Sequence, residues 1–303
     1  EDFYDDLQSN AIRLNSFYNR KISSRLTVRG GVILSRSNFN YFTHSKDSLD
    51  NWVTRINGKG NTNQYQFYGQ GKYKFTDKLV LTAGLQYMYF ALNKDNSIEP
   101  RLGLTYELPH YQKISVGFGM HSKPEQLSTY FVETQDANGN TYLPNINLGL
   151  TSSTHYVVSY ERRFETILAK AEAYYQYMPN LPVANNPNKI WSPIFGGASP
   201  EDTLANIGKG RNYGLEITVQ KFFTNSYYFM VTSSLFQSEY QAADGVWRST
   251  KYNVNYINNL VGGKEFKWGD NKMISANARV VWTGGKRLVP VSYTHLTLPT
   301  IYS

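Results

Sequence analysis

The residues that could carry catalysis are poorly spaced for it. The five histidines (His44, His110, His121, His155 and His295) form no HExxH pair and no other ligand spacing. They read as strand-face, turn or loop residues. The chain has no cysteine, which excludes disulfides, thiol nucleophiles and thiolate metal sites. Gly208-Lys209 is no phosphate-binding loop, because Thr203 stands where the first glycine belongs. Gly58-Lys59-Gly60 and Gly69-Gln70-Gly71 read as turn and strand glycines, and no G-x-S-x-G elbow occurs. His121-Ser122 is a neighbouring base and nucleophile, but adjacent strand residues point to opposite faces. No catalytic residue, metal ligand or cofactor is assigned.

Charge points the same way. Arg101, Glu107, Glu161, Lys170, Glu172 and Glu216 fall on the polar sides of alternating segments. They read as a charge ladder satisfied across strands, not as an acid–base pair. The net charge is +8, from 31 basic and 23 acidic residues, and the longest basic run is Arg162-Arg163. That scatter is not a nucleic-acid footprint. The remaining chemistry is aromatic. Trp52, Trp191 and Trp247 lie in longer connections and, with Tyr130, could stack on a sugar ring or an apolar ligand. Loop packing or membrane-interface anchoring would use the same residues.

The elements that must position these residues are strands. In Gly210–Tyr240 the residues Tyr213, Leu215, Ile217 and Val219 alternate with polar neighbours, and a second run follows Thr224-Asn225-Ser226. Period two of this kind marks a hairpin with one apolar and one polar face. Twelve such runs are predicted: 8–20, 25–37, 63–75, 79–92, 98–108, 113–123, 151–164, 167–178, 210–222, 227–237, 252–265 and 273–284. Most exceed the soluble average of about 5–6 residues and suit a lipid band of roughly 25 Å. Short turns alternate with longer loops at 38–62, 124–150, 179–209 and 238–251; the short connection 93–97 is the exception. That rhythm predicts an all-β, antiparallel, up-and-down transmembrane barrel rather than a sandwich. On such a barrel Leu81, Leu85, Leu104, Phe118, Val158, Leu215 and Ile217 face lipid. Gln86, Gly103, Glu107, Gly119, Glu172 and Glu216 face the lumen. Helix is limited to one turn after Ser199-Pro200-Glu201-Asp202. No apolar run of about 18 residues exists to form a membrane helix. The opening Glu1-Asp2-Phe3-Tyr4 carries no signal-peptide pattern and reads as mid-protein sequence.

Several stretches carry a family likeness: Ser97-Ile98-Glu99-Pro100-Arg101-Leu102-Gly103-Leu104, Gly119-Met120-His121-Ser122-Lys123-Pro124, and Ala171-Glu172-Ala173-Tyr174-Tyr175-Gln176-Tyr177. So do Gly210–Phe223, Asp244-Gly245-Val246-Trp247-Arg248, and Asn258-Asn259-Leu260-Val261-Gly262-Gly263-Lys264-Glu265. Across about residues 1–290 the chain resembles the barrel of a TonB-dependent outer-membrane receptor of the Bacteroidetes type. These are barrel motifs, informative about family and silent about substrate. The resemblance implies a bacterial outer-membrane location and uptake of an extracellular small ligand such as a glycan or metal chelate. It implies outer-membrane lipid as a partner, with a plug domain of the same full-length chain and the TonB energy-coupling protein. It implies no enzymatic activity. Such barrels have about 22 strands, so twelve make an incomplete barrel, residues 1–290. Residues 291–303, VSYTHLTLPTIYS, read as a non-native tail resembling sequencing-adapter text. Two other readings remain open: a non-transport outer-membrane barrel (enzyme, adhesin or assembly factor) and a soluble glycan-binding β-protein.

Overall fold

The computed structural model describes residues 2–47, 49–195, 203–269 and 271–285. The predicted turn after Ser199 and the tail 291–303 lie outside the described residues. In chain order the strands are β1 (Phe3–Lys21), β2 (Leu26–Lys46), β3 (Trp52–Lys74), β4 (Leu79–Phe90), β5 (Asp95–Leu108) and β6 (Gln112–Lys123). Then come β7 (Thr134–Gln135), β8 (Thr141–Tyr142), β9 (Thr151–Arg163), β10 (Ile167–Ala184), β11 (Leu204–Thr224) and β12 (Tyr227–Gln241). The last are β13 (Trp247–Ser249), β14 (Tyr256–Lys267) and β15 (Met273–Thr283). Twelve of them form one antiparallel meander, β1 to β6, then β9 to β12, β14 and β15. β13 lies on β12, and β7 pairs only with β8. Among the described residues the sheet does not close: β1 and β15 are its edges. Helix is confined to α1 (Leu127–Tyr130) and a 3-10 turn at Pro193–Phe195.

The pairing register turns the period-two pattern into faces. Leu81, Leu104, Val116, Val158, Ala173, Leu215 and Leu235 stand side by side across seven strands. Most of these side chains are exposed, and so are Leu85, Ile217, Val231 and Leu260 on the same face. A continuous exposed apolar face has a solvent other than water, and on a sheet of this length that solvent is lipid. The opposite face carries the row Gly84, Arg101, Gly119, His155, Gln176 and Asn212. A second polar row alternates in sign, Glu107, Lys113, Glu161 and Lys170. Lys113 Nζ meets Glu161 Oε1 at 3.0 Å, and Lys170 Nζ meets Glu172 Oε2 at 2.7 Å. Of these contacts Lys113–Glu161 crosses strands, whereas Lys170–Glu172 lies within β10, so the predicted cross-strand ladder is present only in part.

The short connections are built from residues suited to them. Ser23 Oγ accepts from Leu26 N at 3.1 Å, and Thr76 Oγ1 from Leu79 N at 3.0 Å. His110 (φ 60°) with Tyr111 (φ 55°), and Asn225 (φ 54°) with Ser226 (φ 64°), adopt the paired left-handed conformation of a type I′ hairpin. Its twist matches that of the flanking strands.

Strand boundaries differ from the sequence reading at the loop end. The predicted loop 38–62 is mostly hairpin: β2 and β3 stay paired out to Lys46↔Trp52. Its Asn, Gly and Lys residues hide the alternation of Phe39, Tyr41 and Thr43, which are buried on the polar-face side. Asp47 closes the tip, its Oδ1 accepting from Leu49 N (2.8 Å) and Asn51 N (2.9 Å). β10, β11 and β12 likewise run into the loops predicted at 179–209 and 238–251. Conversely, the strand predicted from Tyr252 starts at Tyr256, after Asn255 at φ 66°. At about 3.3 Å per residue, the 23 residues of β3 run roughly 75 Å, far past the lipid band. Beyond that band neither face need be apolar.

The two faces predict unequal tolerance. In the intact protein Leu85→Arg should cost about 2–4 kcal/mol by placing charge on the lipid face, whereas Gln86→Arg should be accommodated. Heat-modifiable gel migration of the assembled barrel measures the difference, and equal effects would reverse the assignment of faces.

Candidate functional site

The site is the loop-side mouth of the polar face. Segment 124–150 leaves β6 and folds back onto that face. Val132 bridges to Ile56. Asn57 N donates to Phe131 O at 3.1 Å, and Glu133 N to Arg55 O at 2.9 Å. The segment thus docks on β3 through a single antiparallel bridge. Beneath it lies a buried cluster that includes Phe39, Tyr41, Ile56, Met88, Phe90, Tyr130, Phe131, Val132 and Leu204. Phe39 and Phe131 stand 4.6 Å apart and Phe90 and Tyr130 5.6 Å apart, ring centre to ring centre. Gly58 makes the seat possible: a Cβ there would fall 2.4 Å from Phe131 Cγ.

Amide side chains stitch the segment to the wall. Asn206 Oδ1 accepts from Gly149 N at 2.8 Å, and Asn145 Oδ1 from Leu204 N at 2.8 Å. Asn180 Oδ1 accepts from Ser152 N (2.9 Å), and its Nδ2 donates to Leu150 O (2.7 Å). Asp95 Oδ2 accepts from Leu150 N at 2.7 Å. Buried backbone groups of an irregular segment need such partners, because water cannot reach them.

Below the segment the wall is polar. Glu99 is buried but satisfied, by Arg101 Nη2 (3.0 Å), Ser97 Oγ (3.1 Å) and Ser122 N (3.0 Å). His121 and His155 lie with ring centres 5.1 Å apart and planes at 86°. Ser153 Oγ stands 3.0 Å from His155 Nε2. Gln176 Nε2 donates to Ser153 Oγ (2.8 Å) and reaches the same imidazole nitrogen (3.1 Å), and Asn212 Nδ2 donates to Gln176 Oε1 (2.8 Å). This is a hydrogen-bonding surface, in which the Ser153–His155 contact is shared with an amide. Among the described residues no group of three or more His, Asp or Glu is placed to hold a metal ion.

The four predicted ligand contacts separate. Tyr130 is fully buried and presents no ring face; its hydroxyl accepts from Glu125 N at 3.2 Å, and burial pushes its phenol up. Its role here is to anchor the segment, because the apolar cluster closes over it. Trp191 packs half-buried against the same cluster. Trp52 is exposed at the β2–β3 tip, 5.2 Å from the His44 ring. Trp247 lies under Arg211, whose guanidinium carbon is 4.2 Å from its ring centre, and Arg211 Nε pairs with Glu239 at 2.7 Å. Sequence reading missed the His121–His155 approach and the amide stitches, because both join residues far apart in the chain. The strand register was the signal: it sets His155 opposite Gly119, two residues from His121.

Acidic loop residues are held by local donors. Asp244 makes a two-pronged contact with Arg248, Nη1 at 2.9 Å and Nη2 at 2.5 Å, and accepts from Val246 N at 3.1 Å. Those bonds hold its carboxyl at about 2. Asn140 and the Asn138 amide hold Asp136 below the ordinary carboxylate range.

An open antiparallel wall with one apolar face toward lipid and one polar face under a folded-back loop is a segment of an outer-membrane β-barrel. The profile of the family described as TonB dependent receptor-like, beta-barrel, matches residues 2–298. The chain belongs to that family, whose barrels are outer-membrane proteins. No curated protein matches the sequence. Solved structures share the fold. The ferric yersiniabactin uptake receptor FyuA from Yersinia pestis has a TM-score of 0.69 at 11% identity, over 94% of this chain and 44% of that one. The siderophore receptor PirA from Pseudomonas aeruginosa has 0.63 at 14%, over 92% and 50%. The hemophore receptor HasR of Serratia marcescens, solved with HasA and heme, has 0.63 at 12%, over 93% and 52%. The chain spans about half the length of these receptors.

Two outcomes follow. Gly58→Val should unseat Phe131 at a cost of about 1–3 kcal/mol, speeding protease cleavage within 124–150 while the barrel stays heat-modifiable. The Asp244 carboxyl is depressed, so its stabilising contact is complete above the unfolded value of about 3.9 and is lost as pH falls through about 2. Trp247 emission, taken as the difference from Trp247→Phe, should stay constant down to about pH 4 and change only below it.

Proposed function

We propose that this chain is the barrel wall of a receptor that imports a small extracellular ligand across the outer membrane. The observation that carries the reading is the pairing of the two faces: lipid-compatible rows outside, and a polar wall beneath a seated loop at one mouth. The loop end faces outward from the cell and the short turns face the periplasm, since ligand capture needs chain length and tight turns offer none. The plug domain of the same full-length receptor and the TonB protein supply the energy-coupled opening, as the family membership suggests. The wall serves transport rather than catalysis, and a metal chelate or glycan is the proposed ligand class. Structures of similar fold take up ferric yersiniabactin or bind heme with a hemophore, which favours the chelate. Trp52, Trp191 and Trp247 are the proposed ligand contacts, with Tyr130 holding the segment beside them. We also propose that 1–290 is the barrel segment and 291–303 a non-native tail. The family match runs through residue 298, into that tail and against the proposal; finding the same thirteen residues in a genomic reading frame would reject it.

Topology is tested by cysteine labelling of the full-length receptor. Cysteines replacing the exposed Asn138 or Val246 should react with an impermeant thiol reagent on intact cells. Those replacing Asp77 or Asn225 should react only after the membrane is opened. Reversed labelling inverts the topology. Uptake tests the contacts: loss of a stacking ring in Trp52→Ala, Trp191→Ala or Trp247→Ala should weaken apparent affinity by about tenfold. Unchanged uptake in all three removes their ligand role and leaves the barrel intact.

A further inference from the structure

Between the mouth and the short turns the polar face holds a second concavity, ≈ 300 Å³ in volume. Its polar lining comes from Asn15, Arg29, Tyr68, Gln70, Gln86 and Arg101, on β1 to β5. Among the described residues that line it, none is acidic. The pairing register puts both arginines on one face. Arg29 stands opposite Gln70, Gln70 opposite Gly84, and Gly84 opposite Arg101. Residues paired in this way project to the same side of the sheet, here the side that carries Gly119 and His155. Tyr68 and Gln86 form the next row on that side, directly paired.

Glycines clear the space. Gly84, in the row between Gln70 and Arg101, has no side chain; a Cβ there would meet Gly69 O at 3.2 Å and Gln70 Cβ at 3.5 Å. A Cβ at Gly31 would fall 2.7 Å from Tyr68 Oη, so that glycine seats the phenol on the Arg29 side.

The two guanidiniums are differently engaged. Arg101 Nη2 meets Glu99 Oε2 at 3.0 Å, and Glu99 is buried. Arg29 Cζ lies 4.2 Å from the centre of the Phe17 ring and 5.9 Å from that of Tyr68. Among the described residues Arg29 has no hydrogen-bond or ion-pair partner. The rings hold its plane, and the donors along its edge stay unfilled. The amides of Asn15, Gln70 and Gln86 have no side-chain partner among the described residues either. They are neutral donors around a charged one. Glu99 balances one of the two arginines, so the pocket keeps a surplus positive charge. A carboxylate matches that surplus better than a phosphate monoester, which carries about −1.5 to −2.

We propose that this pocket binds the carboxylate of a small acid moving through the lumen. The Arg29 fork takes the two carboxylate oxygens, and the amides of Gln70 and Gln86 surround them. The proposal rests on the import reading above and narrows its ligand class to molecules that carry a carboxylate.

The test uses the full-length receptor in detergent, with para-fluorobenzoate as probe and its neutral twin para-fluorobenzamide as control. Binding is read by fluorine NMR line broadening, with that of protein-free detergent subtracted. The benzoate should broaden and the benzamide should not. Arg29→Gln should weaken benzoate binding about tenfold, the scale of one lost charge-assisted contact. Arg29→Lys should fall between, having charge without the fork. Equal broadening of the two probes, unchanged benzoate binding in Arg29→Gln, or tighter binding of para-fluorophenyl phosphate overturns the proposal. So does absence of benzoate binding to the unaltered receptor, as when the plug fills the pocket. Should Arg29→Gln fail to assemble, the comparison of probes on the unaltered receptor decides. The import reading fails separately, by reversed cysteine labelling, whatever the probes do.

Discussion

The constraint on which this structure depends is the backbone hydrogen bond where no water can replace it. In lipid each unpaired N–H or C=O costs several kcal/mol, so a chain crossing by strands must pair every one of them with a neighbour. The meander meets this in the simplest way: each wall strand lies between its sequence neighbours, and β6 meets β9 once the mouth segment has left the wall. Continuous register then has a second effect. Because side chains alternate, fixing the ladder fixes both faces together. Leu104, Val116 and Val158 cannot line up on the lipid side without Gly103, Gly117 and Val157 lining up on the other.

The mouth solves the same problem by different means. Segment 124–150 is irregular, and its amides cannot pair in a long ladder. Asn145, Asn180, Asn206 and Asp95 take over as acceptors and donors. Apolar weight then holds the segment down, through Tyr130 and Phe131 against the inner stripe of β2–β4. The glycine at position 58 belongs to this contact rather than to a turn. It lies within β3, where a side chain would occupy the space of the Phe131 ring. The mouth is therefore a built surface, with a defined polar wall below it.

Most of the wall was legible in the sequence because its signal is local. Leu215, Ile217 and Val219 alternate with polar residues whatever lies beside them, and all twelve wall strands could be placed from such runs. The hairpin of β2 and β3 beyond the lipid band was not legible there. Its Asn38, Asn40, Asn57 and Lys59 carry no lipid-facing pattern, and its stability comes from pairing and from the segment seated on Phe39 and Tyr41. The site was less legible still. Tyr130 looked like a presented ring because a loop tyrosine gives no sign of what covers it. The approach of His121 to His155, and the amide stitches, follow from a register that brings distant residues together.

The two ends of the wall also differ in a way that bears on how it sits in its membrane. At the loop end, carboxylates are matched locally: Asp244 by Arg248, Glu239 by Arg211, and Glu99 by Arg101. At the short-turn end the cations have fewer such partners. Lys221 Nζ instead donates to the carbonyls of Phe222, Thr224 and Tyr227, at 3.4, 2.9 and 3.3 Å, and lies 3.9 Å from the Tyr227 ring centre. A cation bonded to carbonyls and a ring has no carboxylate beside it to balance its field. The field at this end is therefore set by arginine and lysine placed just past the apolar rows. Apolar rows set how deep the wall lies, and this basic margin gives its two ends different local charge.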